Sequence, residues 1–363
     1  MERYPVIDVD GHVEPGMAVD WKRYMPGPYG ETFAEYAVRK HMSIVNTFRT
    51  PKGLWDPKGI VGTADAPHYS VSSTRRGAWD STARLADMDA EGIDVAVLFG
   101  SSIGFRTDTV PAPIVEGCRG YNNWLHDYCR ADPKRLKGVA QLPLHDMEPA
   151  VQELRRTVRD LGFAGPALPC NFQNRGLDDP YFDPIYAEAE RLDVPVLVHI
   201  SPYVSETIGR QLKYAFVREH TLRNPLAQML STMEVLFGGV LERFSKVRIA
   251  FLEGCAGWLP FWLWRLDEEY EKQPHEMPLL TKKPSDYWRD GRLFISCEAD
   301  ESTLADTVSA MGDRVVVFSS DYPHWDCLYP RSVQALRGQK GLSEAQQRNI
   351  LCDNAVRLLH GEA

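Results

Sequence analysis

Four short stretches of the chain carry the residue types from which a divalent-cation site is built. Asp8-Val9-Asp10-Gly11-His12 lies near the start, His199 ends the run Val194-Pro195-Val196-Leu197-Val198, Glu253 follows Ile249-Ala250-Phe251-Leu252, and Asp321 follows the apolar run 315–319. Carboxylate oxygens and imidazole nitrogens ligate Zn²⁺, Mn²⁺ and Fe²⁺, and a catalytic ion needs several of them converging from separate places. In Asp10-Gly11-His12 the i, i+2 spacing on extended backbone points both side chains to one side, where they can chelate one ion. A lone Asp or His after a strand is more often a helix cap or loop hydrogen-bonder, but recurrence of ligand types at several strand ends outweighs that reading. A histidine closing an apolar strand, as His199 does, is costly to bury without a partner. Asp321 is placed both to ligate and to move protons, with Glu253 as a second candidate base. Glu298, His220 and His324 are further candidates around the same centre, His324 and Trp258 as substrate contacts, and Arg218 and His220 suit a carboxylate substrate that wants a cation.

Such ligands need a frame that brings distant strand ends together. Strands are predicted at 6–10, 93–99, 136–141, 163–168, 194–199, 247–253, 293–297 and 315–319, with helices at 81–91, 113–132, 147–161, 184–192, 225–243, 259–270, 302–311 and 343–359. Alternation of this kind implies parallel strands and right-handed crossovers. Eight units fit an α/β fold of the (β/α)₈ TIM-barrel type, whose reactive groups lie at the C-terminal strand ends. A doubly wound sheet would also alternate, but no glycine-rich fingerprint follows the first strand. Residues 14–78 are rich in Pro, Gly and aromatics without periodicity and read as an insertion after strand one, the size of a lid. The organisation expected is one barrel domain over 1–363 with that insertion inside it.

Composition narrows the partners. With 41 Lys+Arg against 50 Asp+Glu, the 363 residues carry a formal charge of −9, which disfavours nucleic acid and anionic membranes. No apolar run approaches the ~20 residues of a membrane span, and the first ten residues lack a signal-peptide pattern. Seven scattered cysteines without a C-x-x-C pair fit a reducing cytoplasm. A small-molecule substrate is what remains.

The chain resembles the metal-dependent amidohydrolase superfamily, in its branch related to aminocarboxymuconate-semialdehyde decarboxylase (amidohydrolase family two). The likeness rests on Ile7-Asp8-Val9-Asp10-Gly11-His12, on Arg84-Leu85-Ala86-Asp87-Met88-Asp89-Ala90-Glu91-Gly92-Ile93-Asp94, and on Tyr181-Phe182-Asp183-Pro184-Ile185-Tyr186 with Val196-Leu197-Val198-His199. Leu252-Glu253-Gly254-Cys255-Ala256-Gly257-Trp258-Leu259-Pro260 and Ser320-Asp321-Tyr322-Pro323-His324 complete it. The resemblance implies Asp10, in place of the usual first His, with His12, His199 and Asp321 as ligands, Asp321 also serving in proton transfer. It departs on strand six, where Glu253 replaces a His that acts as base or polarises substrate. An ionised Glu accepts protons but does not donate them. Glu253 then enlarges the ligand set, for Zn²⁺ first, with Mn²⁺ or Fe²⁺ and one or two ions as alternatives.

The leading expectation is hydrolysis of a small carbonyl or carboxylate compound by a metal-activated water, Asp321 or Glu253 taking the proton. Non-oxidative decarboxylation of a small, aromatic carboxylic acid is the first alternative. Oxygen-dependent hydroxylation at an Fe or Mn site, or an inactive subunit supporting a homologous active chain, are the others. The resemblance implies a homodimer, with a hetero-oligomer of homologous chains as the variant. Gly100-Ser101-Ser102-Ile103-Gly104 matches a serine-hydrolase elbow, but no helix pattern follows it at once. His275-Glu276 lacks the second His of a zincin helix, and His126 and His145 read as packing or capping residues.

Overall fold

The computed structural model describes residues 3–14, 19–25, 30, 75–100, 114–200 and 216–361. The predicted insertion at 14–78 and the Ser101–Gly104 part of the elbow-like motif therefore lie mostly outside the described residues.

Eight strands, β1 (Ile7–His12), β2 (Val95–Phe99), β3 (Leu136–Ala140), β4 (Gly165–Pro169), β5 (Val196–His199), β6 (Ile249–Phe251), β7 (Leu293–Cys297) and β8 (Val316–Phe318), follow one another in sequence order. Every neighbouring pair from β1 to β8 is parallel. Helices connect them, so the chain is a (β/α)₈ barrel. Parallel strands covered on both faces read as unbroken apolar runs, as in Val-Ala-Val-Leu-Phe of β2 and Val-Val-Phe of β8, and the barrel interior is correspondingly dry. At the seam, bonds just past the strand ends join β8 to β1: His12 N–H donates to Tyr322 O (2.6 Å) and Asp321 N–H to Asp10 O (3.1 Å).

Local chemistry sets the crossovers. Helix Ser81–Glu91 starts at Asp80, whose carboxylate accepts from Thr82 N (2.9 Å) and Ala83 N (3.1 Å), and stops at Gly92, which takes the left-handed φ of 84° that favours glycine. Helix Met147–Leu161 is built alike, from Asp146 to Gly162.

Helices Pro284–Arg289 and Ser332–Arg337 lie where none was expected, and three other elements differ from expectation in extent or continuity. The helix expected at 225–243 runs as Phe216–Phe237, with Pro225 inside it, and Val240–Arg243 follows as a separate short helix. Proline lacks an N–H and suits a first helical turn, where that donor would be unpaired anyway; here it lies inside the helix instead. β1 does not stop at Gly11 but continues to His12, with a register shift against β2 between Asp8 and Gly11. The closing helix at 343–359 is interrupted by a π-turn at Asn349–Asp353. Among the described residues no helix is long and apolar enough to cross a membrane, and all seven cysteines are free.

Candidate functional site

The C-terminal ends of β1, β5, β6 and β8 deliver Asp10, His12, His199, Glu253 and Asp321 to one place. His12 Nε2 lies 3.4 Å from Asp10 Oδ1 and 3.1 Å from Asp321 Oδ1. His199 Nε2 lies 3.5 Å from the same Asp10 oxygen and 2.8 Å from Glu253 Oε2. All five groups are buried or nearly so, Asp10 completely. Among the described residues, both Asp10 oxygens, His12 Nε2, His199 Nε2 and Glu253 Oε2 nevertheless have no hydrogen-bond partner. Polar atoms that crowd within about 3.5 Å without aligned bonds point at a shared centre rather than at one another. Ligand atoms of Asp10, His12 and His199, and again of His12, Asp321 and His324, fall within 4.8 Å of each other. An orphaned buried polar atom costs about 1–3 kcal/mol, so a cluster of five fits a divalent cation as the missing partner.

Backbone geometry supports this aim. Glu253 (φ 57°) and Asp321 (φ 51°) both sit in the left-handed region, a strain that side chains other than glycine tolerate mainly at functional sites. Glu253 N–H donates to Ser296 Oγ of β7 (3.0 Å), and Asn224 Nδ2 donates to Glu253 Oε1 (3.3 Å). From the same helix as Asn224, Gln228 Nε2 donates to Val198 O (3.2 Å) and to Leu252 O, fixing the residues just before His199 and Glu253. Phe99, at the end of β2, stacks on the His199 ring with centroids 5.0 Å apart. Past the end of β8, His324 Nδ1 is 2.6 Å from Asp321 Oδ1 and its ring stacks on His12 at 4.1 Å.

The electrostatics follow from crowding. Burial works against charge on His199, but the charges of Glu253 and Asp10 win and hold it well above the usual histidine range. Burial likewise opposes ionisation of Asp10 and Glu253, and the neighbouring imidazoles overcome it, holding both carboxyls down. Asp321 goes the other way: burial, reinforced by Glu253 and Glu298, pushes it well up despite His324 beside it. His324 is raised, Asp321 outweighing burial. Burial and then Asp326, Asp10, Glu253 and Glu301 push Glu298, just past β7, up to about 8. Protons thus take up positive positions in an acidic cluster, and a cation binding there would displace them.

Of the other residues singled out in the sequence, His220 is half-buried at the mouth, its Nε2 3.6 Å from Asp326 Oδ2 and its ring 5.5 Å from Trp325. Trp258 Nε1 donates to Gly254 O (2.7 Å), so the ring face is what it can offer a substrate. Arg218 is on the first turn of helix Phe216–Phe237, and its side chain lies outside the described residues. His126 Nδ1 sits 3.2 Å from Leu161 O, a helix-to-helix contact, and His275 is on an exposed turn. Asn224, Gln228, Ser296 and Phe99 were not foreseen. No local signal in the sequence singled them out.

A family model described as Amidohydrolase matches residues 7–361. A 2-amino-3-carboxymuconate-6-semialdehyde decarboxylase of Dictyostelium discoideum is 28% identical over 284 residues, 77% of each chain. A gamma-resorcylate decarboxylase of Rhizobium radiobacter is 27% identical over 250 residues, 66% of this chain and 76% of that one. Among solved structures, a 5-carboxyvanillate decarboxylase of Novosphingobium aromaticivorans, complexed with manganese and 4-hydroxy-3-methoxy-5-nitrobenzoic acid, superposes with a TM-score of 0.73 at 20% identity, covering 98% of this chain and 96% of that one.

Proposed function

The chain belongs to the amidohydrolase family, and from that premise we propose that it is a metal-dependent, non-oxidative decarboxylase of a small aromatic or conjugated carboxylic acid. One observation carries the reading: five atoms of Asp10, His12, His199 and Glu253, unpartnered among the described residues, converge with Asp321 in a buried cluster, in a chain similar to aminocarboxymuconate-semialdehyde and gamma-resorcylate decarboxylases. Those relatives favour decarboxylation over the hydrolysis expected first, and the manganese of the 5-carboxyvanillate decarboxylase favours Mn²⁺ over Zn²⁺.

Asp10, His12, His199, Glu253 and Asp321 would hold the cation. When bound, it would supply positive charge that anchors the substrate and offsets the negative charge left on it as the bond breaks. Phe99 walls the centre on the His199 side. His220 and Trp325 at the mouth, with the Trp258 ring and Arg218, are the groups proposed to seat the rest of the substrate. The bond to the carboxylate carbon breaks with its electron pair left on the ring carbon. Asp321, oriented by His324, delivers a proton to that carbon as CO₂ leaves.

The same reading takes the seven free cysteines as support for a reducing cytoplasm, and the formal charge of −9 as support for partners other than nucleic acid and anionic membranes. Phe261 and Trp264, both more than half exposed on helix Leu259–Lys272, support a homodimer. A second reading, oxygen chemistry on Fe or Mn, draws on one feature, the extra carboxylate Glu253 among the ligands.

The test is elemental analysis of protein purified without added metal, followed by CO₂-release and O₂-uptake assays with Mn²⁺ and, in turn, 2,6-dihydroxybenzoate and 5-carboxyvanillate. Metal near one equivalent, with CO₂ release that His199→Ala abolishes, is expected. Iron with substrate-dependent O₂ uptake would replace this reading with the second. Metal below about a tenth of an equivalent, with no gain in stability on adding Mn²⁺, would end both.

A further inference from the structure

The most deeply buried cation among the described residues lies outside the ligand set. Arg84, on helix Ser81–Glu91, is 1% exposed. Its Nη1 donates to His12 O (2.9 Å), its Nη2 lies 4.0 Å from Asp8 Oδ2, and its guanidinium covers the Tyr322 ring at 4.3 Å. It thus touches β1 immediately behind His12 and the β8 loop immediately after Asp321.

Asp8 completes the link. Its Oδ1 accepts from Asp10 N (3.2 Å) and Ser320 N (3.0 Å), and its Oδ2 from Ser320 Oγ (2.6 Å). Ser320 Oγ in turn accepts from Tyr322 N (3.1 Å). The fully buried Asp8 carboxylate therefore ties together the backbone on either side of two ligands, Asp10 and Asp321, across the barrel seam. A buried carboxylate of this kind is costly unless a cation lies close by, and Arg84 is that cation. The arrangement also explains Gly11: a Cβ there would lie 2.3 Å from Arg84 Nη2 and 2.9 Å from Asp8 Oδ2.

We propose that Arg84 is a positioning residue of the cation site, locking β1 to β8 through His12 O, Asp8 and Tyr322 so that His12 and Asp321 face one ion across the seam. It touches neither the reacting atoms nor the ion. The proposal rests on the cation-site reading above, and the experiment separates the two.

The full-length protein, Arg84→Met, Arg84→Lys, Ser320→Ala and His199→Ala are titrated with Mn²⁺ alone by calorimetry, and the Mn²⁺ electron paramagnetic resonance spectrum of each is recorded beside its melting temperature. Residues behind metal ligands typically change metal affinity 10- to 100-fold. Arg84→Met should weaken Mn²⁺ binding by about that factor and alter the spectrum, with Arg84→Lys recovering part of the loss. Ser320→Ala removes a hydroxyl from the same link and should weaken binding in the same direction, which keeps the test open if Arg84→Met does not fold. A lower melting temperature with Mn²⁺ affinity within about twofold of the parent, in Arg84→Met or, failing that, in Ser320→Ala, would reduce Arg84 to packing and overturn the proposal. If His199→Ala also binds Mn²⁺ like the parent, the cation site itself is wrong; if it alone loses binding, only the assignment of Arg84 falls.

Discussion

Glu298 converts the acidity of the barrel mouth into a measurable pH dependence. Its carboxyl is pushed up to about 8, first by burial and then by Asp326, Asp10, Glu253 and Glu301, from an ordinary value of 4.5. A carboxyl raised on folding favours the folded state while protonated. That contribution is fully present below pH 4.5 and is lost as the pH climbs toward 8. At about 1.4 kcal/mol per pH unit, the span sets a ceiling of about 5 kcal/mol. Because Glu298 titrates as one member of a coupled cluster, about 2–3 kcal/mol is the expected loss. Glu298→Gln, neutral at every pH, should leave the metal-free protein about equally stable at pH 5 and more stable than the parent by that amount at pH 8.5. A cation between Asp10 and Glu253 offsets two of the repelling charges, so saturating Mn²⁺ should shrink the difference to less than half. Chemical denaturation across pH 5–9, with and without Mn²⁺, reads all of this. Parallel curves for parent and variant in metal-free protein would refute the argument.

Removal of the cation is the companion test: at Mn²⁺ about a hundredfold above its dissociation constant, linkage contributes about 2.7 kcal/mol, so chelation should lower the melting temperature by several degrees, and an unchanged melt would contradict the site. Away from the site, Glu234 is raised by burial and by Asp178 to about 7 while accepting from Leu177 N (2.9 Å). Its contribution is therefore lost as pH rises from 4.5 to about 7, and Glu234→Gln should stabilise the protein at pH 8 by about 2–3 kcal/mol but not at pH 5, as denaturation at the two pH values would show. Asp80→Ala removes the cap that accepts from Thr82 N and Ala83 N and should cost about 1 kcal/mol in denaturant titration; no change would mean that the helix start is held by packing.

What the sequence made legible is what has local signatures. Strands buried on both faces read as apolar runs, and caps such as Asp80 with Gly92 mark helix ends, so the eight-unit alternation was plain. The chelating pair Asp10 and His12 was legible because strand periodicity relates neighbours two apart. Helix Phe216–Phe237 was misjudged because proline is a starting signal only on average, and the part missed carries Asn224, which bonds Glu253. The Asp8–Ser320 bond joins residues 312 apart in the chain, and Arg84 reaches His12 across 72. Pairings of that range depend on ring closure, which no window of sequence contains.

The acid on strand six can be read through charge. Asp10, Glu253 and Asp321, if all ionised, carry −3 against a divalent ion, and a substrate carboxylate would add a further negative charge. With the usual His in place of Glu253 that excess would be one unit smaller. Two groups in the structure are held positive against burial: His199, between Asp10 and Glu253, and His324, against Asp321. In the reading proposed above, His199 would give up its proton to serve as a ligand, leaving His324 as the positive neighbour. It is stacked on His12 at 4.1 Å and bonded to Asp321 at 2.6 Å, on the β8 side of the ion. Glu253, held ionised, has no proton to donate. With Glu253 in place of a strand-six histidine, the proton delivery proposed above rests on the Asp321–His324 pair alone, and tolerance of an anionic substrate is proposed to depend on His324.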